Sequence, residues 1–171
     1  TTTVDKIKRI LDAEARTGKR LDISFNYRFA PTSAKIKELI NSGVIGDVTS
    51  VDFHWYLDTS HGADYFRRWH AFVENSGSLF VHKATHHFDL LNWYLDSDPE
   101  KVSAFADLKH YGRKGPFRGE RCRSCRYKGE CDYYLDISAT PLLESLYEDP
   151  SIVDGYVRDA CVFREGIDIP D

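Results

Sequence analysis

Hydrophobic and polar positions along this chain change period several times, and the longest unbroken pattern is helical. From Ser76 to Leu95 (SGSLFVHKATHHFDLLNWYL) no Pro or Gly follows Gly77. At about 100° per residue, Phe80, Val81, Ala84, Phe88, Leu91 and Leu95 fall on one side. His82, His86, Asp89 and Trp93 fall on the other, with Lys83 and Leu90 flanking them. A helix with one apolar stripe buries that stripe and shows its other face to solvent. Here the other face lacks the usual Glu/Lys mixture and carries imidazoles, a carboxylate, an amine and an indole, which reads as the wall of a site.

The remaining pattern predicts helices and strands in alternation. Thr3 to Thr17 is a helix with a Val4, Ile7, Ile10, Leu11 stripe, capped by an opening threonine and ended by Gly18. LDISFNYRF alternates as a strand: Leu21, Ile23, Phe25, Tyr27 and Phe29 face one way, and Asp22, Ser24, Asn26 and Arg28 the other. Pro31 closes it, and a short helix through Ile36, Leu39 and Ile40 ends with Gly43 at its C′ position. Val48 to Leu57 is a second alternating strand and Lys101 to Tyr111 a third; Tyr156 to Phe163 is a candidate fourth. Thr59 to Ser78 has no sustained period and reads as a loop with a short helical turn. A short helix is expected around Pro141 to Tyr147. The expected fold class is α+β: a partial, mostly antiparallel sheet with helices on one face.

Composition narrows the function classes. The 171 residues are 42% hydrophobic and 29% charged, as in a soluble globular domain. A net charge of −4 gives no reason to expect nucleic acid or an anionic membrane as partner. No run approaches the roughly 18 apolar residues of a spanning helix. The chain opens with TTT and contains no Met, so it reads as an excised or processed piece. Four cysteines are too few for a disulfide framework at this length and fit a reducing, cytoplasmic setting.

Four groups of residues carry candidate chemistry. His82 and His86, four apart, are candidate proton-transfer groups with Lys83 and Asp89 beside them; the open alternatives are a polar interface and a two-histidine metal site. Asn26 and Arg28 form either a polar contact or a solvated strand face. Tyr65, Arg67, Arg68, Trp69 and His70 make an aromatic–basic cluster of the kind that holds sugars and polyols. In a basic stretch, Cys122-x-x-Cys125-x5-Cys131, with Cys161 as a fourth ligand, has the spacing of a structural zinc site; reduced thiols are the alternative. Neighbouring Arg121, Arg123, Arg126 and Lys128 would favour thiolates.

The Asn-x-Arg-Phe segment, the Pro-initiated helix with SGVIGDV, and the small-residue turn leading into HHFDLLNWYL together resemble the C-terminal domain of the Gfo/Idh/MocA oxidoreductases. These are the relatives of glucose–fructose oxidoreductase and inositol dehydrogenase. The resemblance implies a two-domain enzyme using NAD or NADP on a sugar, inositol or related polyol. Residues 1–29 would then be the last helix and strand of a dinucleotide-binding domain. Residues 30–171 would be a substrate and oligomerisation domain, incomplete at its C-terminus, with a Cys-containing insertion near 112–135. No Gly-x-Gly-x-x-Gly occurs, and the family's Glu-Lys-Pro motif would fall upstream of Thr1. His86 matches the family's proton-transfer histidine, while His82 stands where the family commonly has Asp. The resemblance further implies homo-oligomers through the sheet face and an inactive fragment in isolation. An NAD-dependent glycosidase-like enzyme of the same family and a non-catalytic, zinc-stapled interaction module are the alternatives.

Overall fold

A computed structural model describes residues 2–139, 141–148 and 158–171. Seven α-helices are assigned among them: α1 (Val4–Thr17), α2 (Pro31–Asn41), α3 (Thr59–Asp64), α4 (Val73–Ser76), α5 (Ser78–His82), α6 (Thr85–Leu95) and α7 (Pro141–Glu148). Short 3₁₀ turns punctuate them, the first at Asn26–Phe29. The chain divides into two compact units: Thr3–Trp55 with Lys83–Ala104, and Tyr56–His82 with Phe105–Asp171.

In the first unit, α1 is set by its ends. The Thr3 hydroxyl accepts from the Lys6 amide at 3.3 Å, and Gly18 leaves the helix in the left-handed region at φ 65°. Its apolar stripe forms, but no α1 residue is buried. Pro31 opens α2, where its missing N–H costs nothing. Lys37 of α2 is buried; its ammonium donates to the Tyr94 carbonyl at 3.3 Å and to Asp96 at 2.5 Å. This ties α2 to the end of α6, where Asp96 takes a left-handed φ of 48°.

The second unit holds the hydrophobic core: Ala63, Phe66, Ala71, Cys161, Val162, Phe163, Ile167 and Ile169 are buried together. Phe66 stacks on Tyr111 with ring centroids 3.9 Å apart. Gly115 lies so close to Phe163 that a Cβ there would sit 1.9 Å from the ring, so only glycine fits. Two buried polar groups are fully served. Arg67 donates to the Ala160 carbonyl at 2.9 Å, to the Tyr133 carbonyl at 2.5 Å and to Cys122 Sγ at 3.4 Å. Asp159, wholly shielded from solvent, accepts from Arg121 at 2.6 and 2.9 Å and from Arg123 Nε at 3.0 Å.

The structure corrects the expected α+β class. No β-ladder forms among the described residues; a single antiparallel bridge, Arg121 with Ala160, stands outside any strand. An alternating sequence is a strand only when a neighbour supplies the ladder, and none does here. Segment 21–29 ends instead in the Asn26–Phe29 turn, because its side chains are drawn onto α6. Segments 48–57 and 101–111 make no ladder, and Phe105 is 96% exposed and Val102 75%. The start of the candidate strand Tyr156–Phe163 lies outside the described residues, and the rest is turn and irregular backbone. The sheet face expected to carry an oligomer contact therefore has no counterpart among the described residues.

The Ser76–Leu95 helix is corrected as well. It divides into α5 and α6, with Lys83 and Ala84 non-helical between them. At the entry to α5, Gly77 and the helix's first residue, Ser78, both have positive φ, at 70° and 74°. The burial is also the reverse of that expected: α6 buries His87, Asp89, Leu90 and Tyr94, while Phe88 and Leu95 are exposed. The polar partners brought by α2 and the Asn26–Phe29 turn outweigh the apolar stripe.

Candidate functional site

The break after His82 sorts the candidate residues into two groups, because His82 belongs to the second unit and Lys83 onward to the first. In the first unit, α6 presents His86 and Asp89 one turn apart to the Asn26–Phe29 turn. Asp89 accepts from Arg28 Nε at 2.7 Å and Nη2 at 2.5 Å, a bidentate pair. The same bonds hold the guanidinium's pKa above its ordinary value. Arg28 also lies 5.8 Å from the Trp93 ring centre. Asn26, which opens the turn, is exposed.

His86 is held by rings. Tyr27 stacks on it with centroids 4.5 Å apart and planes 19° apart, and Phe25 meets it edge-on at 5.8 Å. Its Nδ1 is buried with no hydrogen-bond partner among the described residues. Lys83 Nζ donates to the Tyr27 hydroxyl at 2.9 Å. His87 is buried against Trp55 at 4.4 Å, and its Nε2 likewise has no hydrogen-bond partner among the described residues. Burial, then the charges of Lys83 and His86, push its pKa down, which favours the neutral imidazole.

The second unit places His82 in a different cluster from His86. His82 meets Trp69 at 5.0 Å, Tyr65 at 5.6 Å and His70 at 4.7 Å between ring centres. The Tyr65 hydroxyl is 3.3 Å from His61 Nε2. Arg68 and Arg158 both bond Asp64, Arg158 at 3.0 and 3.1 Å. A cleft of about 750 Å³ lies beside this group, lined by His61, Asp64, Arg67, Tyr133 and Arg158 among others. The expected aromatic–basic cluster therefore exists and gains His61 and His82. Arg67 is spent on the core.

The four cysteines are free thiols that line one void of about 10 Å³ with Phe117, Tyr133 and Phe163. Among the described residues, no three His, Cys, Asp or Glu side chains could hold a metal ion. The described residues therefore support neither the zinc reading of Cys122, Cys125, Cys131 and Cys161 nor the metal alternative for His82 with His86. The arginines expected to favour thiolates are engaged elsewhere: Arg121 and Arg123 on Asp159, Arg126 on Tyr127. Burial pushes the Cys131 thiol up, against ionisation.

Sequence reasoning missed Tyr27, His61 and His87. The strand phase placed Tyr27 with the apolar residues. A 3₁₀ turn puts successive side chains about 120° apart, and Tyr27 and Arg28 both reach α6. His87 carried a signal, an imidazole beside His86, but the straight-helix projection left it between faces. No α-helix among the described residues is long and apolar enough to cross a membrane.

Comparison with known proteins agrees with these motifs. A family model described as the C-terminal alpha/beta domain of the GFO_IDH_MocA oxidoreductase family matches residues 37–135. The chain is 44% identical over 183 residues to the Bacillus subtilis (strain 168) protein YteT, named as an oxidoreductase, covering 99% of this chain and 43% of that protein. It is 28% identical over 102 residues to the inositol 2-dehydrogenase of Rhizobium meliloti (strain 1021), covering 60% of this chain and 29% of the relative. It is 26% identical over 98 residues to the inositol 2-dehydrogenase/D-chiro-inositol 3-dehydrogenase of Lactiplantibacillus plantarum, covering 57% and 25%. The chain thus spans less than half the length of these relatives. No solved structure gives a significant match. With the family model covering more than half its length, the chain belongs to the Gfo/Idh/MocA oxidoreductase family, through its C-terminal domain.

Proposed function

We propose that this chain is the substrate-binding part of an NAD(P)-dependent oxidoreductase acting on a sugar, inositol or related polyol, with His86 as the proton-transfer residue. The observation that carries this is the His86 ring, whose buried Nδ1 has no hydrogen-bond partner among the described residues and which stands beside the Tyr27–Lys83 pair. The named inositol dehydrogenases among the relatives support the substrate class.

Oxidation at a carbinol carbon releases the hydroxyl proton, and the His86 imidazole takes it. The Lys83 ammonium favours the alkoxide that develops at that oxygen. The Arg28–Asp89 pair fixes the segment that carries Tyr27 against α6. Taken by itself, the second unit brings Tyr65, Arg68, Trp69 and His70 together with His82 in an aromatic–basic group of the kind that holds hydroxyls. The nicotinamide, when bound, is the hydride acceptor. The sequence has no Gly-x-Gly-x-x-Gly to cradle its pyrophosphate, and no strand among the described residues feeds a helix N-terminus. From the family resemblance, we assign residues 1–29 to the closing part of a dinucleotide-binding domain and 30–171 to the substrate domain, with an insertion near 112–135.

His86→Ala in the complete protein should cut turnover of myo-inositol or another polyol by about 10²- to 10⁴-fold while NAD and NADP still bind. Unchanged turnover removes His86 from the role, and a complete protein that reduces neither cofactor with any polyol removes the function. The 171-residue chain alone should leave NADH fluorescence unaltered; measurable binding would count against the domain assignment.

A further inference from the structure

A histidine that moves protons is usually held in register by a hydrogen bond at its second ring nitrogen. His86 Nδ1 has no such partner among the described residues. Its plane is set by packing, and the closest ring is Tyr27, 4.5 Å away and within 19° of parallel. Through its hydroxyl the same tyrosine accepts from Lys83 Nζ at 2.9 Å, and the ammonium lies 5.3 Å from the ring centre. The next residue, Arg28, is clamped to Asp89, so the turn that carries Tyr27 is fixed to the helix that carries His86.

We propose that Tyr27 is a positioning residue that sets both proton-handling groups at once: its ring face orients the His86 imidazole and its hydroxyl holds the Lys83 ammonium. The proposal rests on the roles given to His86 and Lys83 above. Tyr27 makes no contact with substrate in this scheme and acts through its two neighbours. A polar partner at Nδ1 would select one tautomer of the imidazole. A stacked ring selects a plane and leaves either nitrogen able to carry the proton, which suits a group that receives a proton and then releases it.

Two substitutions separate the two contacts. Tyr27→Phe keeps the ring and removes the hydroxyl; Tyr27→Leu removes both. In the complete protein with myo-inositol and NAD, Tyr27→Phe should lower kcat roughly tenfold with KM kept within about twofold. Tyr27→Leu should lower kcat by at least a further factor of about ten. A second measurement does not depend on turnover: trace acetylation by acetic anhydride, read by mass spectrometry on the Lys83 peptide. Losing the hydroxyl should raise the Lys83 labelling rate several-fold in both variants relative to other lysines. Unchanged kcat in both variants, or a raised KM with kcat preserved, overturns the positioning role. Unchanged Lys83 labelling in Tyr27→Phe overturns the proposal whether or not the substrate class is right. Absence of turnover in the unaltered protein counts instead against the proposed function, and the labelling still decides Tyr27. If Tyr27→Leu fails to fold, the near-isosteric Tyr27→Phe carries both measurements.

Discussion

Arg28 and Asp89 are 61 positions apart in sequence, yet their pairing decides how the candidate site is built. The Asp89 side chain is 7% exposed and the Arg28 side chain 38%. Arg28→Ala would leave a buried carboxylate without its cation. Breaking a fully buried pair costs roughly 3–5 kcal/mol; solvent reaches this guanidinium, so a loss of about 2 kcal/mol is expected, read as a fall in urea midpoint. Titration gives a second expectation. The folded pKa of His87 lies below its ordinary 6.5 through burial first and nearby positive charge second. Its stabilising contribution is therefore complete above that value and is lost as pH falls toward the folded one. Burial alone would raise Asp159, but hydrogen bonds from Arg121 and Arg123 hold it below the ordinary 3.8. Its contribution survives further into acid and is lost last. Urea midpoints taken from neutral pH downward should fall in two stages, and His87→Asn should flatten the upper one. A single stage unaffected by that substitution would contradict the assignment.

Among the elements, those fixed by neighbouring residues were legible in the sequence. Thr3 and Gly18 bound α1 because a cap is satisfied within one turn; Pro31 opens α2 for the same local reason. Elements fixed from afar were not. The 21–29 alternation is real as a pattern, but Tyr27 and Arg28 are captured by α6 and the backbone turns instead. The straight Ser76–Leu95 projection put His82 and His86 on one face; the two non-helical residues at 83 and 84 break that phase, and no Pro or Gly marks them. The turn before α5 is a sharp test of local geometry. Gly77 is left-handed, and an added Cβ would lie 2.8 Å from the Val81 Cβ. Gly77→Ala should therefore cost about 1–3 kcal/mol, through backbone and packing together. Thermal unfolding of the variant checks this; an unchanged midpoint would mean that the turn is not as described.

At the scale of the whole molecule, family membership was legible because motifs survive in order along the chain, whereas the sheet was inferred from alternation and does not form among the described residues. The two views give opposite forecasts for segment 101–111. Buried in a strand, Val102 and Phe105 would be costly to replace; exposed as they are, Val102→Ser and Phe105→Ser should each change stability by less than about 0.5 kcal/mol. A loss several times larger in either variant would restore a buried role for that segment. The second unit has another use in its cysteine void. Cys122 and Cys161 are buried and Cys125 and Cys131 half-buried, around a space of about 10 Å³ that no thiol reagent could enter. Colour from a disulfide dye should accordingly appear in two phases, the partly exposed thiols first. The slow phase would then run at the pace at which the second unit opens, a clock for that event supplied by the protein itself.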